Sequence, residues 1–587
     1  MLIPYIITII IGIASLLLMM MLGWAAWRHR NPVESSDDTA REGLKEFGPA
    51  ATNSWLRGLR VFFTLLIITV FGFHSYWVFF ADSNEGFRKA DRFDARNRRL
   101  SESALKGWIL DRSGSLENAL IRYKSERGVI SRDYPLGQAA VHLTGYSDFI
   151  FGSGGMEYAF RSHLTEPVST YNRLVSPSPV GQDIKVSIDS VLQQEAFNLA
   201  QNTGKPTAIV MLLVPNNEVL AMASAPSFNP RAITSEEAWQ RMSQQAEDAP
   251  EKSPLVNRTL GTFVTGGAAF YYRPGSTFKI FTAAVALDSG HADEKFICRG
   301  EGFTAPGSQR PIRDFGGSVH GTIDLREAFK VSCNQYFAQL GVKIGREKLA
   351  EYARRLGYVV SPEDNTLRAS SMWHILHGDT GDFNFVFAPP ATRMNLTSAA
   401  TAYDIALQSI GQGYDDLTVF GMALLASSVA NQDGSYVAPT FETGTELKVN
   451  GPFISPESAR RLRELMRLVV EDGTARGAFT RSRITAGGKT GTADRVVPVY
   501  DSENKRVVAY TDEDGRQHYK MAEYTDSWFV GFAPADNPKI AFAVAVEDGG
   551  EGARAAAPIA AKLIEKASQL GYFSPAGNQL PIASNRR

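Results

Sequence analysis

Three short strings of residues, far apart in the chain, contain the residue types that acyl transfer through a serine requires. They are Ser276-Thr277-Phe278-Lys279, Ser332-Cys333-Asn334 and Lys489-Thr490-Gly491-Thr492. A serine becomes an effective nucleophile when an adjacent base removes its proton. One string alone is a weak signal, because serine and lysine fall three positions apart by chance in a chain with 61 lysines and arginines. The three strings together predict a serine acyltransferase.

The first string follows a turn signal, Arg273-Pro274-Gly275, and precedes an apolar run over residues 280–287. This pattern predicts a buried helix that begins at Ser276. Positions three apart share one face of a helix, so Lys279 is expected one turn beyond the serine. The helix N-terminus would stabilise a developing oxyanion, and a desolvated lysine would accept the serine proton. The alternative for this string alone is an N-cap serine and a solvated lysine.

The second string interrupts a helical pattern that covers residues 325–331 and continues over 335–341. Ser332 and Asn334 are two positions apart, so a turn or a helix end is needed to direct both side chains to one site. Asn334 offers both a donor and an acceptor, which suits a peptide amide. Taken alone, these are also ordinary small residues of a helix boundary.

The third string reads as a strand along which an extended peptide could lie, paired through backbone hydrogen bonds. Lys489 adds positive charge, and Thr490 and Thr492 can donate to a carboxylate. Taken alone, it would be an edge strand with a solvated lysine. Beyond it, residues 506–511 and 517–524 flank Asp514-Gly515 in a pattern that predicts a β-hairpin.

The order and contexts of the three strings match a signature set shared by penicillin-binding proteins and class A β-lactamases. The chain resembles a class B penicillin-binding protein over roughly residues 106–567. Further strings support the resemblance: Pro226-Ser227-Phe228-Asn229-Pro230, Asn257-Arg258, Ile410-Gly411-Gln412-Gly413, and Asp526-Ser527-Trp528-Phe529-Val530-Gly531. It implies an α+β fold, a penicillin-binding or serine β-lactamase-like transpeptidase domain. In that fold an antiparallel sheet is flanked by helices and follows a small β-rich pedestal.

The resemblance also implies roles for individual residues. Ser276 would be acylated by the penultimate D-alanine of a peptidoglycan stem pentapeptide, with Lys279 as general base and Ser332 as proton relay. An amine of a neighbouring stem would then form the crosslink, and a β-lactam would acylate the same serine. Substrate would be bound by Asn334, Lys489, Thr490, Gly491 and Thr492. The two threonines would hold the terminal carboxylate, and the backbone N–H groups of Ser276 and Thr492 would form the oxyanion hole.

Two apolar stretches near the N-terminus, residues 2–27 and 61–80, are long enough to span a bilayer. Two spans leave both ends on one side. The basic residues after the first span favour a cytoplasmic loop over 28–60, so the large domain is expected on the periplasmic side of a bacterial inner membrane. The predicted domains are then a linker and pedestal, resembling a dimerisation region, over 81–182, the transpeptidase over 183–570 and a C-terminal tail over 571–587.

The composition excludes several classes of protein. A net charge of −1 gives no indication that the chain binds nucleic acid. The sequence contains no cofactor motif and no ligand spacing typical of a zinc site. Cys298 and Cys333 are the two cysteines, and the sequence leaves a disulfide between them open. No run of residues resembles a glycosyltransferase. The resemblance therefore implies a separate polytopic partner of the SEDS family and other cell-wall machinery.

Three alternatives use the same fold. A β-lactamase or drug-sensing receptor would be acylated in the same way, although no glutamate stands in the Glu-x-x-Leu-Asn context of class A hydrolases. A D,D-carboxypeptidase differs only in using water as acceptor. A non-catalytic membrane scaffold would have no need of intact motifs. The sequence leaves open a role in elongation, division or sporulation, the stem-peptide type and the oligomeric state.

Overall fold

The computed structural model of the protein divides the chain into two units, Met1–Ser103 and Ala104–Arg587. The structure describes residues 59, 61–73, 105–126, 129–148, 151–166, 181–233, 236–248, 252–267, 271–360, 373–377, 379–389, 392–413, 416–498, 508–511 and 517–574.

In the first unit, residues 61–73 form a helix whose apolar side chains are exposed, among them Ile67 and Phe71 at 66% and 73%. The Thr69 hydroxyl donates to the Leu65 carbonyl at 2.8 Å, so this polar group is satisfied inside the helix. No helix among the described residues combines the length and apolar character needed to cross a membrane. The predicted span 2–27, most of the predicted loop 28–60 and residues 74–80 lie outside the described residues.

The core of the second unit is a five-stranded antiparallel sheet. Nearly every residue of Ile540–Val546 and Thr207–Leu213 is apolar and buried, as expected for strands in the middle of a covered sheet. Gly487–Pro498, hereafter the motif strand, contains the third string and lies at one edge. The strand order is Gly487–Pro498, Met521–Ala533, Ile540–Val546, Thr207–Leu213 and Glu218–Ala225.

Helices pack on this sheet in two groups. Ser190–Gln201 and Ala556–Gln569 contact each other and the sheet, while Val419–Ala430 and Pro456–Asp472 contact each other and different strands. Every residue of Val419–Ala430 is buried, in keeping with its apolar sequence. A sheet flanked by helices confirms the predicted α+β fold.

Short strands dominate the N-terminal part of the second unit. Ile109–Leu110 pairs in parallel with Ile184–Lys185, and two small hairpins follow. Glu157 is fully buried and accepts from Arg132 at 2.7 Å and from Tyr134 at 3.2 Å. The elements here are Arg122–Glu126, Val129–Asp133, Val141–Thr144, Ser147–Asp148, Gly152–Ser153, Gly155–Ala159 and Arg161–Thr165.

The motif strand and Met521–Ala533 pair along their whole length, from Gly487 opposite Phe532 to Pro498 opposite Met521. Between them, Ala509–Thr511 pairs with Gln517–Tyr519, which confirms the predicted hairpin. The remaining helices are Glu236–Asp248, Lys279–Asp288, Leu325–Val331, Asn334–Ile344, Arg346–Arg355, Thr380–Phe387, Ala402–Gln408 and Arg476–Phe479. The remaining strands pair as Val256–Asn257 with Thr262–Phe263, Phe296–Cys298 with Gly321–Ile323, Phe303–Thr304 with Pro311–Ile312, and Ser435–Val437 with Val449–Pro452.

Candidate active site

Ser276 lies in a 3₁₀ turn, Gly275–Phe278, and the α-helix begins at Lys279. The sequence predicted a helix starting at the serine itself, and the tighter turn is the difference. Side chains three positions apart eclipse each other in a 3₁₀ turn, so the serine and the lysine still fall on one side. Ser276 is half-buried, whereas Lys279 is completely buried.

The turn before the serine fits closely against the motif strand. Gly275 has φ +54°, and a Cβ there would lie 2.5 Å from the Thr492 carbonyl oxygen. At Gly491, a Cβ would lie 2.8 Å from Cγ2 of Thr277 and 2.9 Å from the Pro274 carbonyl oxygen. Glycine is needed at both positions because the turn Gly275–Phe278 and the motif strand meet there. The first and third strings are therefore direct neighbours.

The Lys279 amine connects the first string to the second. Its Nζ donates to the Ser332 carbonyl at 2.7 Å, to the Ser332 hydroxyl at 3.2 Å and to Oδ1 of Asn334 at 2.7 Å. Burial lowers the pKa of Lys279 to about 8, against the opposing influence of Cys333 and Asp314. A lysine with this pKa is partly neutral near pH 7 and can accept a proton. Within the described residues, no hydrogen bond joins its Nζ to Ser276.

The second string stands at the break between helices Leu325–Val331 and Asn334–Ile344. Ser332 has left-handed backbone angles, φ 61° and ψ 40°, so the chain turns sharply between the helices. The amide Nδ2 of Asn334 donates to the Arg313 carbonyl at 3.0 Å, which leaves its Oδ1 to accept from Lys279. The predicted helix end is confirmed, and it brings both side chains to the Lys279 amine.

The third string contributes a second buried lysine. Lys489 is fully buried, donates to the Thr490 carbonyl at 3.2 Å and lies 5.9 Å from the centre of the Phe329 ring. Burial, together with the charge of Lys279, holds the pKa of Lys489 well below its usual value. The alternative of a solvated lysine on an edge strand is wrong, since the edge position is correct but the side chain points into the protein.

The two threonines of the third string have different surroundings. Oγ1 of Thr490 lies 2.6 Å from Oγ1 of Thr474, and Thr490 is 7% exposed. Thr492 is half-buried and contributes the carbonyl that approaches Gly275. The structure thus brings all three strings together around two buried amines.

Comparison with known proteins agrees with this geometry. The family described as the penicillin binding protein transpeptidase domain matches residues 207–565. The chain belongs to this family. The predicted resemblance to a penicillin-binding protein and the prediction of a serine-type transpeptidase are confirmed.

Named relatives extend the match. The peptidoglycan D,D-transpeptidase PbpA of Mycolicibacterium smegmatis is 29% identical over 480 residues, covering 75% of this chain and 84% of the relative. MrdA of Acinetobacter baumannii, also a peptidoglycan D,D-transpeptidase, is 28% identical over 64% of this chain and 52% of the relative. Penicillin-binding protein A from M. tuberculosis, solved as a ceftriaxone acyl-enzyme, aligns with a TM-score of 0.63 and 25% identity over 79% of this chain and 99% of that structure.

The second string of this penicillin-binding protein is anchored by a residue that the sequence did not single out, Asp314. Its buried carboxylate accepts from the backbone N–H of Asn334, from Nε2 of Gln335 at 3.1 Å and from the Cys298 thiol at 2.7 Å. Cys333 caps the following helix by accepting from the Tyr336 N–H at 3.3 Å. These hydrogen bonds therefore hold the turn that carries Asn334 in place.

Four groups beneath this turn could hold a metal ion. One ligand atom from each of Cys298, Asp314, His320 and Cys333 lies within 4.8 Å of the others. Two thiols, an imidazole and a carboxylate are ligands that zinc accepts. Both cysteines are free thiols, so the disulfide that the sequence left open is not formed. Burial raises the pKa of each thiol, and the neighbouring Asp314 carboxylate raises it further.

A second feature that the sequence analysis did not predict is a buried network of charged groups, which includes a residue just before the turn Gly275–Phe278. Glu547 accepts from Nε of Arg258 at 3.0 Å and from the Tyr272 hydroxyl at 2.8 Å, and Arg495 lies 3.4 Å away. Arg258 is fully buried. Burial raises the pKa of Glu547, while Arg258 and Arg495 oppose that rise. Tyr272 precedes Ser276 by four positions, so this network fixes the segment that leads to Ser276.

Proposed function

We propose that this penicillin-binding transpeptidase is a peptidoglycan D,D-transpeptidase that crosslinks stem peptides and is inhibited by β-lactams. One observation carries the proposal: a completely buried Lys279, with a pKa of about 8, reaches both Ser332 and Asn334 while sharing one side of the turn with Ser276. The relatives named as peptidoglycan D,D-transpeptidases support the choice of substrate.

In the proposed first step, the Ser276 oxygen attacks the carbonyl carbon of the penultimate D-alanine and its proton passes to neutral Lys279. The Ser276 and Thr492 N–H groups stabilise the oxyanion. When the C–N bond breaks, Ser332 relays the proton from Lys279 to the leaving amine. D-alanine departs, and an ester to Ser276 remains.

In the second step, an amine of a neighbouring stem attacks the ester carbon. Its proton returns through Lys279 to the serine oxygen, so the enzyme is regenerated and a new amide links the two stems. Asn334 holds the donor's amide, and Gly491 lets the donor peptide approach the motif strand. Thr490 and Thr492 bind the terminal carboxylate, with Lys489 supplying the local field.

We also propose a membrane-anchored arrangement with spans at 2–27 and 61–80 and the catalytic unit on the periplasmic side of the inner membrane. The exposed apolar helix over 61–73 supports the second span. A separate SEDS-family glycosyltransferase would supply the glycan strands. Cysteine labelling from outside intact cells, at positions introduced into 28–60 and into the catalytic unit, should modify only the latter.

The test of the function is labelling of the full-length protein with a fluorescent penicillin, followed over time after free drug is removed. We expect a label that persists for many minutes in the wild type and is absent in Ser276→Ala. Ser289→Ala is a matched control, because Ser289 lies just beyond the same helix and its hydroxyl bonds, within the described part of the chain, to the Val285 carbonyl at 2.6 Å and to His291. Rapid loss of label would indicate a β-lactamase, and no label in folded protein would indicate a scaffold.

The acceptor is tested separately with a stem pentapeptide donor and a D-amino acid as the amine. Mass spectrometry should find a product in which the D-amino acid has replaced the terminal D-alanine of the donor. A product shortened by one D-alanine, with no exchange product at any amine concentration, would identify a carboxypeptidase and contradict the crosslinking proposal.

A further inference from the structure

The turn that follows helix Pro456–Asp472 contains Thr474, whose hydroxyl contacts the third string. Helix Pro456–Asp472 ends at this turn and packs on the motif strand. Oγ1 of Thr474 lies 2.6 Å from Oγ1 of Thr490. Among the described residues, this is the hydrogen bond that the Thr490 hydroxyl makes. The orientation of that hydroxyl therefore depends on Thr474.

The same turn also contacts the helix that leads into the second string. A Cβ at Gly473 would lie 2.9 Å from the Lys330 carbonyl oxygen, so only glycine fits without a shift. The Lys330 amine lies 3.5 Å from the Asp472 carboxylate. Lys330 precedes Ser332 by two positions. The turn over residues 472–474 thus connects the element that ends at Ser332 with the strand that contains Thr490.

A hydroxyl has one proton to donate and two lone pairs to accept with. If Thr474 donates to Thr490, the Thr490 proton stays available for an incoming carboxylate oxygen, in a fixed direction. A donor that is already oriented costs less free energy to bring into a complex than one that must be ordered on binding. The side chain of Thr474 is itself exposed, so it is not required to fill the core.

We propose that Thr474 is a positioning residue that orients the Thr490 hydroxyl toward the carboxylate of the acyl donor, and so sets the preference for donors with a free carboxylate. This inference rests on the proposed function, in which Thr490 binds that carboxylate.

The experiment compares acylation of the full-length protein by benzylpenicillin and by its methyl ester, which lacks the negative charge. In Thr474→Val, which keeps the shape and removes the hydroxyl, the acylation rate constant for the acid should fall about tenfold while that for the ester stays unchanged. Thr474→Ser should restore the wild-type ratio of the two rate constants. Thr480→Val is the matched control, because the bond that the Thr480 hydroxyl makes among the residues that the structure describes goes to the Gly477 carbonyl in the next short helix.

The outcomes separate the possible failures. Unchanged rate constants for both ligands in Thr474→Val would overturn the positioning role. An equal loss with both ligands would also overturn it, by showing a general distortion of the strand. No acylation of the wild type by the acid would overturn the proposed function, and the inference with it. A melting temperature close to the wild type confirms that the variants are folded.

Discussion

The pKa of Lys279 leads to a quantitative prediction for the rate of acylation by a β-lactam as a function of pH. In the proposed mechanism Lys279 accepts the serine proton, which it can do only when it is neutral, so the rate should follow its neutral fraction. With a pKa of about 8, that fraction is about one eleventh at pH 7 and about ten elevenths at pH 9. The rate constant should rise about tenfold over this interval and level off near its end.

An ordinary lysine would behave differently. With an unshifted pKa near 10.4, the neutral fraction would rise about a hundredfold between pH 7 and 9 and would not level off. The shift has a clear cause in the structure, since burial of the amine disfavours its charged form. The shape of the profile therefore tests the burial of Lys279 as well as its role.

The assay is stopped-flow or quenched labelling of the full-length protein with a chromogenic cephalosporin at limiting concentration, between pH 6 and 10. Ser276→Ala serves as the blank for hydroxide-driven opening of the drug. Lys279→Arg is the matched variant, because arginine keeps the positive charge but cannot act as a base, and its rate should fall by about 10²–10⁴ across the range. A wild-type rate that is flat, or that climbs steadily to pH 10, would refute the reasoning.

Three further predictions follow from particular contacts. Gly491→Ala should lower both the acylation rate and the free energy of unfolding, the latter by about 1–3 kcal/mol, because the added Cβ would lie within 3.0 Å of Thr277, Pro274 and Trp528. Gly477→Ala is the control in the same thermal melts, because no described atom lies within 4 Å of the Cβ added there. Equal effects of the two substitutions would contradict the steric argument. Glu547→Gln should cost about 3 kcal/mol in urea unfolding because it removes the carboxylate that pairs with the buried Arg258 at 3.0 Å, whereas Glu551→Gln, whose partner Arg554 is exposed, should change stability by less than about 0.5 kcal/mol. Zinc added to metal-free protein should raise the Tm of the wild type but not of His320→Ala, and an equal shift in both would show that the Cys298, Asp314, His320 and Cys333 cluster does not bind it.

The sequence predicted most of what local patterns determine. The interruption of helical periodicity at Ser332 gave the helix end, and the glycine-rich third string gave an edge strand. The contact of Lys279 with Asn334 was not predicted, and Ser332 was assigned as a proton relay only through the family resemblance, because the two residues are 55 and 53 positions away from Lys279. No local spacing reports a contact made by tertiary packing.

The cluster beneath the second string shows the same limit from another side. Zinc motifs are recognisable when two ligands lie a few positions apart on one loop. Here Cys298 ends one strand of a two-stranded sheet, and His320 immediately precedes the strand paired with it, with Cys298 opposite Gly321. Asp314 and Cys333 come from the neighbouring loop and helix start. The pairing of strands, which a single sequence does not specify, creates the cluster.

The surroundings of the two buried lysines explain why different roles are inferred for them. Both amines are fully buried, and the charge of Lys279 lowers the pKa of Lys489, so the cleft disfavours two positive charges at once. Lys279 has three oxygen acceptors, whereas among the described residues Lys489 donates to one, the Thr490 carbonyl. Each amine also lies near an aromatic ring, Phe337 at 5.6 Å for Lys279 and Phe329 at 5.9 Å for Lys489. The hydrogen-bond acceptors around Lys279 therefore favour its charged form more than the surroundings of Lys489 do. A carboxylate that enters beside Lys489 would favour its charged form and, through repulsion between the amines, help Lys279 to lose its proton and act as the base.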